Sequence, residues 1–220
     1  MTPDAHREPP AATPSAIMPI ARSLPAGARS KLSAYLDLLA KWNRVYNLTA
    51  IRDREQMQSL HVDDALAVLR FLPDPEQLRL LDVGSGGGVP GIPLAIARPG
   101  WHVVLLDSNR KKVSFLTQAA IELHLDRVQP AASRIEDYRC DEPFDVVICR
   151  AFADLATFAR STRAFVAPGG VLVAMKGVLP QDEIDALPAD IEVLSTPALD
   201  VPGLDAERHL VIMQPKGAPA

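Results

Sequence analysis

Apolar positions recur at helical spacing between residues 28 and 45. Leu32, Tyr35, Leu36, Leu39 and Tyr46 share one side, with Trp42 beside them, which predicts an amphipathic helix over about 28–45. A second helix is expected over 54–71, with Asp53 as N-cap and Gln56 three residues on, as in a capping box. Pro73 and Pro75 close this region and read as a linker. After Gln77 the period changes. Short leucine-rich or β-branched runs at 78–83, 103–107, 128–131, 144–149, 171–175, 191–195 and 209–213 read as strands. Helical stretches at 90–97, 110–123, 155–166 and 181–187 lie between them. Strands alternating with helices predict a mostly parallel sheet wound on both faces, and two adjacent C-terminal strands predict a hairpin at one edge.

Composition narrows the picture. With 48% hydrophobic and 23% charged residues, the 220-residue chain suits a globular protein with a sizeable core. No apolar run approaches the ~20 residues of a membrane span. Two cysteines, Cys140 and Cys149, argue against a stapled secreted fold. No leader-like apolar segment is seen near the start, so a cytoplasmic location is expected. Six of the 20 prolines lie in the first 25 residues. Residues 1–20 are therefore expected to be a disordered proline-rich tail, followed by a helical extension over 21–76, a ligand-binding domain over 77–215 and a disordered end over 216–220.

The net charge of −4 is unevenly spread. From Arg22 to Arg54 there are seven bases and two acids, whereas eight acids and no bases lie between Pro180 and Glu207. A basic stretch of this kind is either a solvated face or a polyanion-binding one.

The chemistry concentrates in one loop. Half of the 12 glycines fall between Gly84 and Gly100. An apolar strand runs into Asp82, glycines follow at 84, 86 and 88, and a proline-started helix comes next. Gly86–Gly91 fits the dinucleotide fingerprint G-x-G-x-x-G. The run Asp82-x-Gly84-x-Gly86-x-Gly88 equally fits the acidic glycine loop of class I S-adenosylmethionine (SAM) methyltransferases. Pro90 separates the two readings. Pyrophosphate is held by free N–H groups at a helix start, and proline removes one. SAM carries no phosphate. Asp107 ends the second strand, 19 residues after Gly88, where a carboxylate suits ribose hydroxyls. Its ordinary alternative is a turn or helix cap, for which Ser108 and Asn109 also serve. Ser133–Asp137 follows the third strand, where an adenine ring would lie.

The fourth strand ends at Cys149-Arg150-Ala151-Phe152, facing the site of chemistry. Cys149 lacks the preceding proline of cytosine C5 methylases, and a buried strand cysteine is the commoner case. Arg150 would pair with a carboxylate, that of a methionine moiety included, contact a base, or form a structural salt bridge. His61 and Asp64 lie one helical turn apart, which suits a surface pair or a contact to the glycine loop. No Ser/His/Asp order and no metal-ligand spacing is present.

Taken with 41–49 (Lys-Trp-Asn-Arg-Val-Tyr-Asn-Leu-Thr), 82–93, 105–108, 133–136, 150–153, 175–177 and 207–211, these residues resemble the RsmG (GidB) family of bacterial small-subunit ribosomal RNA methyltransferases, over about 24–214. The resemblance implies a class I SAM-dependent methyltransferase: an α/β, Rossmann-like, mostly parallel seven-stranded sheet with a C-terminal antiparallel hairpin and an N-terminal helical cap. It implies methyl transfer from SAM to N7 of guanine 527 of 16S rRNA, with 16S rRNA or the small ribosomal subunit as partner and neither membrane nor stable protein partner. SAM contacts carry over to Gly84, Val89, Ile135, Glu136 and Arg150, beside Gly86 and Asp107 from the loop reading. Lys111, Lys112 and Lys176 are the RNA-binding candidates. No metal and no catalytic base is expected, because N7 carries an unprotonated lone pair. The alternatives are an NAD-dependent oxidoreductase and a non-catalytic SAM-fold binding protein.

Overall fold

A computed structural model describes residues 20–216. The tails expected to be disordered lie outside the described residues, except residue 20, which starts a helix, and residue 216. In chain order the elements are α1 (Ile20–Ser23), α2 (Ala26–Tyr46), α3 (Arg54–Met57), a π-helical turn (Gln58–Asp63), α4 (Asp64–Ala67), a 3-10 turn (Val68–Arg70), β1 (Arg79–Val83), α5 (Gly91–Ala97), β2 (His102–Asp107), α6 (Arg110–Glu122), β3 (Val128–Ala132), β4 (Phe144–Arg150), α7 (Leu155–Thr162), a 3-10 turn (Arg163–Phe165), β5 (Val166–Lys176), α8 (Gln181–Asp185), β6 (Ile191–Ser195) and β7 (His209–Pro215).

The strands form one seven-stranded sheet in the order β3-β2-β1-β4-β5-β7-β6. β1 to β5 run parallel, and β7 is antiparallel to both β5 and β6. Alternation along the strands explains why their runs are continuously apolar. Leu80, Val103, Leu105, Val146, Ile148 and Val173 enter one core. Leu81, Val104, Leu106, Val147, Cys149 and Leu172 enter the other. The first core is covered by α2, α4, α5 and α6, the second by α7 and α8. Leu32, Tyr35, Leu36, Leu38 and Leu39 of α2 are buried in the first core, each contributing roughly 1.5–3 kcal/mol by leaving water. The segment around Pro73 and Pro75 is tied down: Trp101 Nε1 donates to Pro75 O at 3.1 Å, and Arg98 pairs with Asp74.

Three expectations need correction. The helix expected over 54–71 is interrupted by the π-helical turn, where Asp64 N–H bonds Ser59 O. Its cap is as expected, with Asp53 Oδ1 accepting from Gln56 N at 2.8 Å. The helix expected to reach 166 stops at Thr162, and Val166 already belongs to β5. The strand expected over 171–175 begins at Val166, so Pro168, Gly169 and Gly170 lie inside β5, beside a register shift against β4. A Cβ on Gly170 would stand 2.9–3.0 Å from three backbone carbonyls. The glycine there admits neighbouring backbone and does not turn the chain.

Candidate functional site

The order of strands reverses between β1 and β4, the place where open α/β sheets bind ligands beyond their carboxyl ends. The glycine loop leaves β1 there. Gly84 and Ser85 N–H groups bond Leu106 O at 2.8 and 3.0 Å, which folds the loop over the end of β2. Gly84 has φ +75°, and a Cβ on it would meet nothing within 4 Å. Its open side is a cradle that any side chain would fill. Tyr35 of α2 clasps the loop from behind, its hydroxyl donating to Gly87 O at 2.6 Å.

Two cavities meet at Gly84. One, of about 350 Å³, is lined by Gly84, Asp107, Ser108, Lys112, Ile135, Glu136 and Phe152 among others. The other, of about 170 Å³, is lined by Leu48, Thr49, His61, Gly84, Gly86, Val89 and Arg150 among others. All seven residues expected to bind the cofactor border one cavity or both.

Asp107 has two backbone duties. Oδ2 accepts from Gly86 N at 3.0 Å and Oδ1 from Asn109 N at 2.8 Å, while Lys112 Nζ stands 4.0 Å away. Asn109 caps α6, accepting from Lys111 N at 3.0 Å. Each carboxylate oxygen has two acceptor directions, so both can still receive a hydroxyl. Asp82 is fully buried. Its Oδ2 accepts from Gly91 N at 3.0 Å, and Oδ1 has no partner among the described residues. Burial pushes its pKa up to about 7, partly opposed by the Gly91 hydrogen bond.

Arg150 leaves β4 on the other side of the loop. NH1 donates to Leu60 O at 2.7 Å and stands 3.4 Å from Asp64 Oδ2, and NH2 is 3.4 Å from His61 Nδ1. Asp64 is flanked a second time by Arg208 Nε at 3.4 Å. Burial raises the Asp64 carboxyl, and both arginines oppose that shift. His61 is buried and meets Thr49 Oγ1 at 2.9 Å. Burial, reinforced by Arg150, lowers its pKa to about 4, so the imidazole is neutral. His61 is therefore not a surface partner of Asp64; the π-helical turn carries both inward.

Sequence reasoning missed Tyr35, Thr49 and Arg208 because their partners are far along the chain. It missed Phe152 as a cavity wall. The Asn43–Thr49 stretch was the available signal, since Asn43 Oδ1 accepts from Thr49 N at 2.9 Å and fixes this turn.

The helix start after the loop has little left for an anion. Pro90 and Pro93 have no N–H, Gly91 N–H is taken by Asp82 and Ile92 N–H by Gly88 O. Cys149 is buried and burial pushes its thiol pKa far up, so the thiolate is disfavoured. Lys111 is exposed, Lys112 lines the larger cavity, and Lys176 pairs with Glu183 at 2.7 Å. The described residues hold no cluster of metal-ligand type and no helix long and apolar enough to cross a membrane.

The family model of GidB, rRNA small subunit methyltransferase G, matches residues 28–211. The chain is 53% identical to the ribosomal RNA small subunit methyltransferase G of Laribacter hongkongensis over 177 residues, 80% of this chain and 84% of that one. It is 51% identical to its namesake from Nitrosococcus oceani over 187 residues, 85% of this chain and 86% of the relative. Among solved structures, TrmN from Thermus thermophilus is similar with TM-score 0.57 at 20% identity, over 79% of this chain and 53% of that one. The mitomycin 7-O-methyltransferase MmcR has TM-score 0.60 at 14% identity, over 72% and 55% of the two chains. These two likenesses show the fold.

Proposed function

We propose the reaction of this site from one premise: the chain belongs to the rRNA small subunit methyltransferase G family. It is a SAM-dependent methyltransferase of ribosomal RNA, and the acceptor is N7 of guanine 527 of 16S rRNA. The substrate is the 16S molecule, free or in the small subunit, and the reaction belongs in the cytoplasm.

The observation that carries this reading is the open Gly84 cradle between the two cavities. The larger cavity would take the adenosine, where Asp107 would accept from ribose hydroxyls and Ile135, Phe152 and Glu136 would hold the base. The smaller one fits a methionine moiety beside Gly86, Val89 and Arg150. Bound SAM supplies an electrophilic methyl group on a sulfonium, with a neutral thioether as leaving group. The chain's own work is to orient and to exclude water. Guanine N7 needs no deprotonation, in keeping with a site whose imidazole is neutral and whose cysteine is a buried thiol. The scarcity of free N–H groups at α5 weighs against NAD.

The test is transfer of labelled methyl from SAM to small ribosomal subunits lacking the modification, followed by mapping. One methyl at guanine 527 is expected. Transfer to another nucleotide, or none, overturns the reading. Calorimetric binding of NAD but not SAM would revive the oxidoreductase.

A further inference from the structure

Tyr35, Leu39, Trp42 and Tyr46 follow one another at steps of four, three and four along α2, so they share one face. Tyr35 and Leu39 sit on the glycine loop: Tyr35 bonds Gly87 O, and Leu39 Cδ1 lies 3.1 Å from where a Gly87 Cβ would be. The same face continues past the loop. Trp42 packs on buried Phe115 of α6 with centroids 5.7 Å apart, and Tyr46 packs on Trp42 at 5.3 Å. The row of rings thus runs from the core to the surface, where Tyr46 is 41% exposed and its neighbour Val45 71%. The Tyr46 ring therefore ends this row with an aromatic face open to solvent.

The helices fix what lies beside that ring. Lys31 Nζ reaches His124 O at 3.1 Å, just beyond the end of α6, while Trp42 meets Phe115 further back. α2 and α6 therefore run antiparallel. One more turn along α2 brings Tyr46 level with the first turn of α6, where Lys111 lies one turn before Phe115 on nearly the same face. Lys111 is exposed, with no ion-pair partner among the described residues. Asn47 then ends α2 in the left-handed conformation, and the chain turns at once into the smaller cavity through Leu48 and Thr49. Tyr46 thus lies two residues along the chain from Leu48, the first residue of this turn to line the smaller cavity.

We propose that Tyr46, backed by Trp42 and flanked by Lys111, is a stacking platform for an unpaired base of the RNA acceptor. This rests on the ribosomal RNA reading above. Aromatic faces with cations beside them are how proteins hold single-stranded nucleic acid. Exposed Lys41 and Arg44 on the same turns add to the positive field. A second copy of this chain is a poorer occupant, because a two-fold contact would set these cations against themselves.

The test uses the full chain with small ribosomal subunits and SAM, comparing wild type with Tyr46→Ala, Tyr46→Leu, Tyr46→Phe and Lys111→Ala. Tyr46→Ala is expected to raise KM for the subunit about tenfold, as for one lost stacked base, with SAM affinity by calorimetry unchanged. Tyr46→Leu keeps apolar cover over Trp42 and shows the same rise, so the result stands even if the alanine variant folds poorly. Tyr46→Phe restores the wild-type value. Lys111→Ala lowers the slope of log KM against log salt by about one unit. A wild-type KM in both Tyr46→Ala and Tyr46→Leu overturns the platform alone, as does a concentration-dependent dimer that Tyr46→Ala abolishes. Absence of transfer by the wild type overturns the ribosomal RNA reading and the platform with it.

Discussion

Asp107 shows how much one side chain carries. Its carboxylate pins Gly86 N–H and Asn109 N–H and still faces the larger cavity. Asp107→Ala is expected to weaken SAM binding by about 1–3 kcal/mol, the range for lost charge-assisted hydrogen bonds. The cause is separable. If the loss comes from ribose hydroxyls, a 2′,3′-dideoxy analogue of SAM binds wild type and variant alike. A penalty that persists with the analogue would mean that Asp107 acts only through the glycine loop. Arg150 is a second residue of this kind. Its guanidinium is anchored by Leu60 O and Asp64, which aim it at the smaller cavity from a fixed position.

Within the strand–loop–helix element from β1 to α5, glycines look alike in the sequence and do different work. A Cβ at Gly91 would lie 2.2 Å from Leu105 Cδ2 and 2.8 Å from Asp82 Oδ2, so α5 can approach the sheet only without one. At Gly84 the same atom meets open space. Gly91→Ala should therefore lower the urea midpoint, by an overpacking cost of roughly 1–3 kcal/mol. Gly84→Val should abolish SAM binding, with a smaller loss of stability from the positive φ. Urea melts and SAM titrations on the two variants check this. Normal SAM binding by Gly84→Val would refute the cradle, and an unchanged midpoint for Gly91→Ala would refute the packing account.

For the molecule as a whole, the N-terminal helices and the sheet share one apolar core, and the His61–Asp64–Arg150–Arg208 cluster ties them in the polar layer above it. His61 gives this layer a pH dependence. Its pKa falls from an ordinary 6.5 to about 4 on folding. Below 6.5 the unfolded chain binds a proton that the folded one refuses, so the contribution is whole above 6.5 and lost as pH falls toward 4. Asp82 acts oppositely: its raised pKa favours the fold at low pH and loses that contribution as pH rises through about 7. Asp82 is common to both proteins in a comparison with His61→Gln and largely cancels. Wild type should lose urea midpoint relative to His61→Gln between pH 6.5 and 4.5, and a constant difference would show that His61 is not held neutral. Much of this architecture is legible along the chain. Alternating apolar runs specify strands buried on both faces, the row from Leu32 to Tyr46 specifies α2, and Asp53 and Asn109 announce the caps they provide. The glycine loop and Asp107 are legible because a ligand held by backbone needs a contiguous motif. What folding alone decides are partnerships between distant segments: Asp64 with Arg150 and Arg208, Tyr35 with Gly87, Trp42 with Phe115, and β7 slotted between β5 and β6. Periodicity and propensity act over a few residues, so they specify elements. Which side chains meet depends on how those elements pack, and that the three-dimensional fold decides.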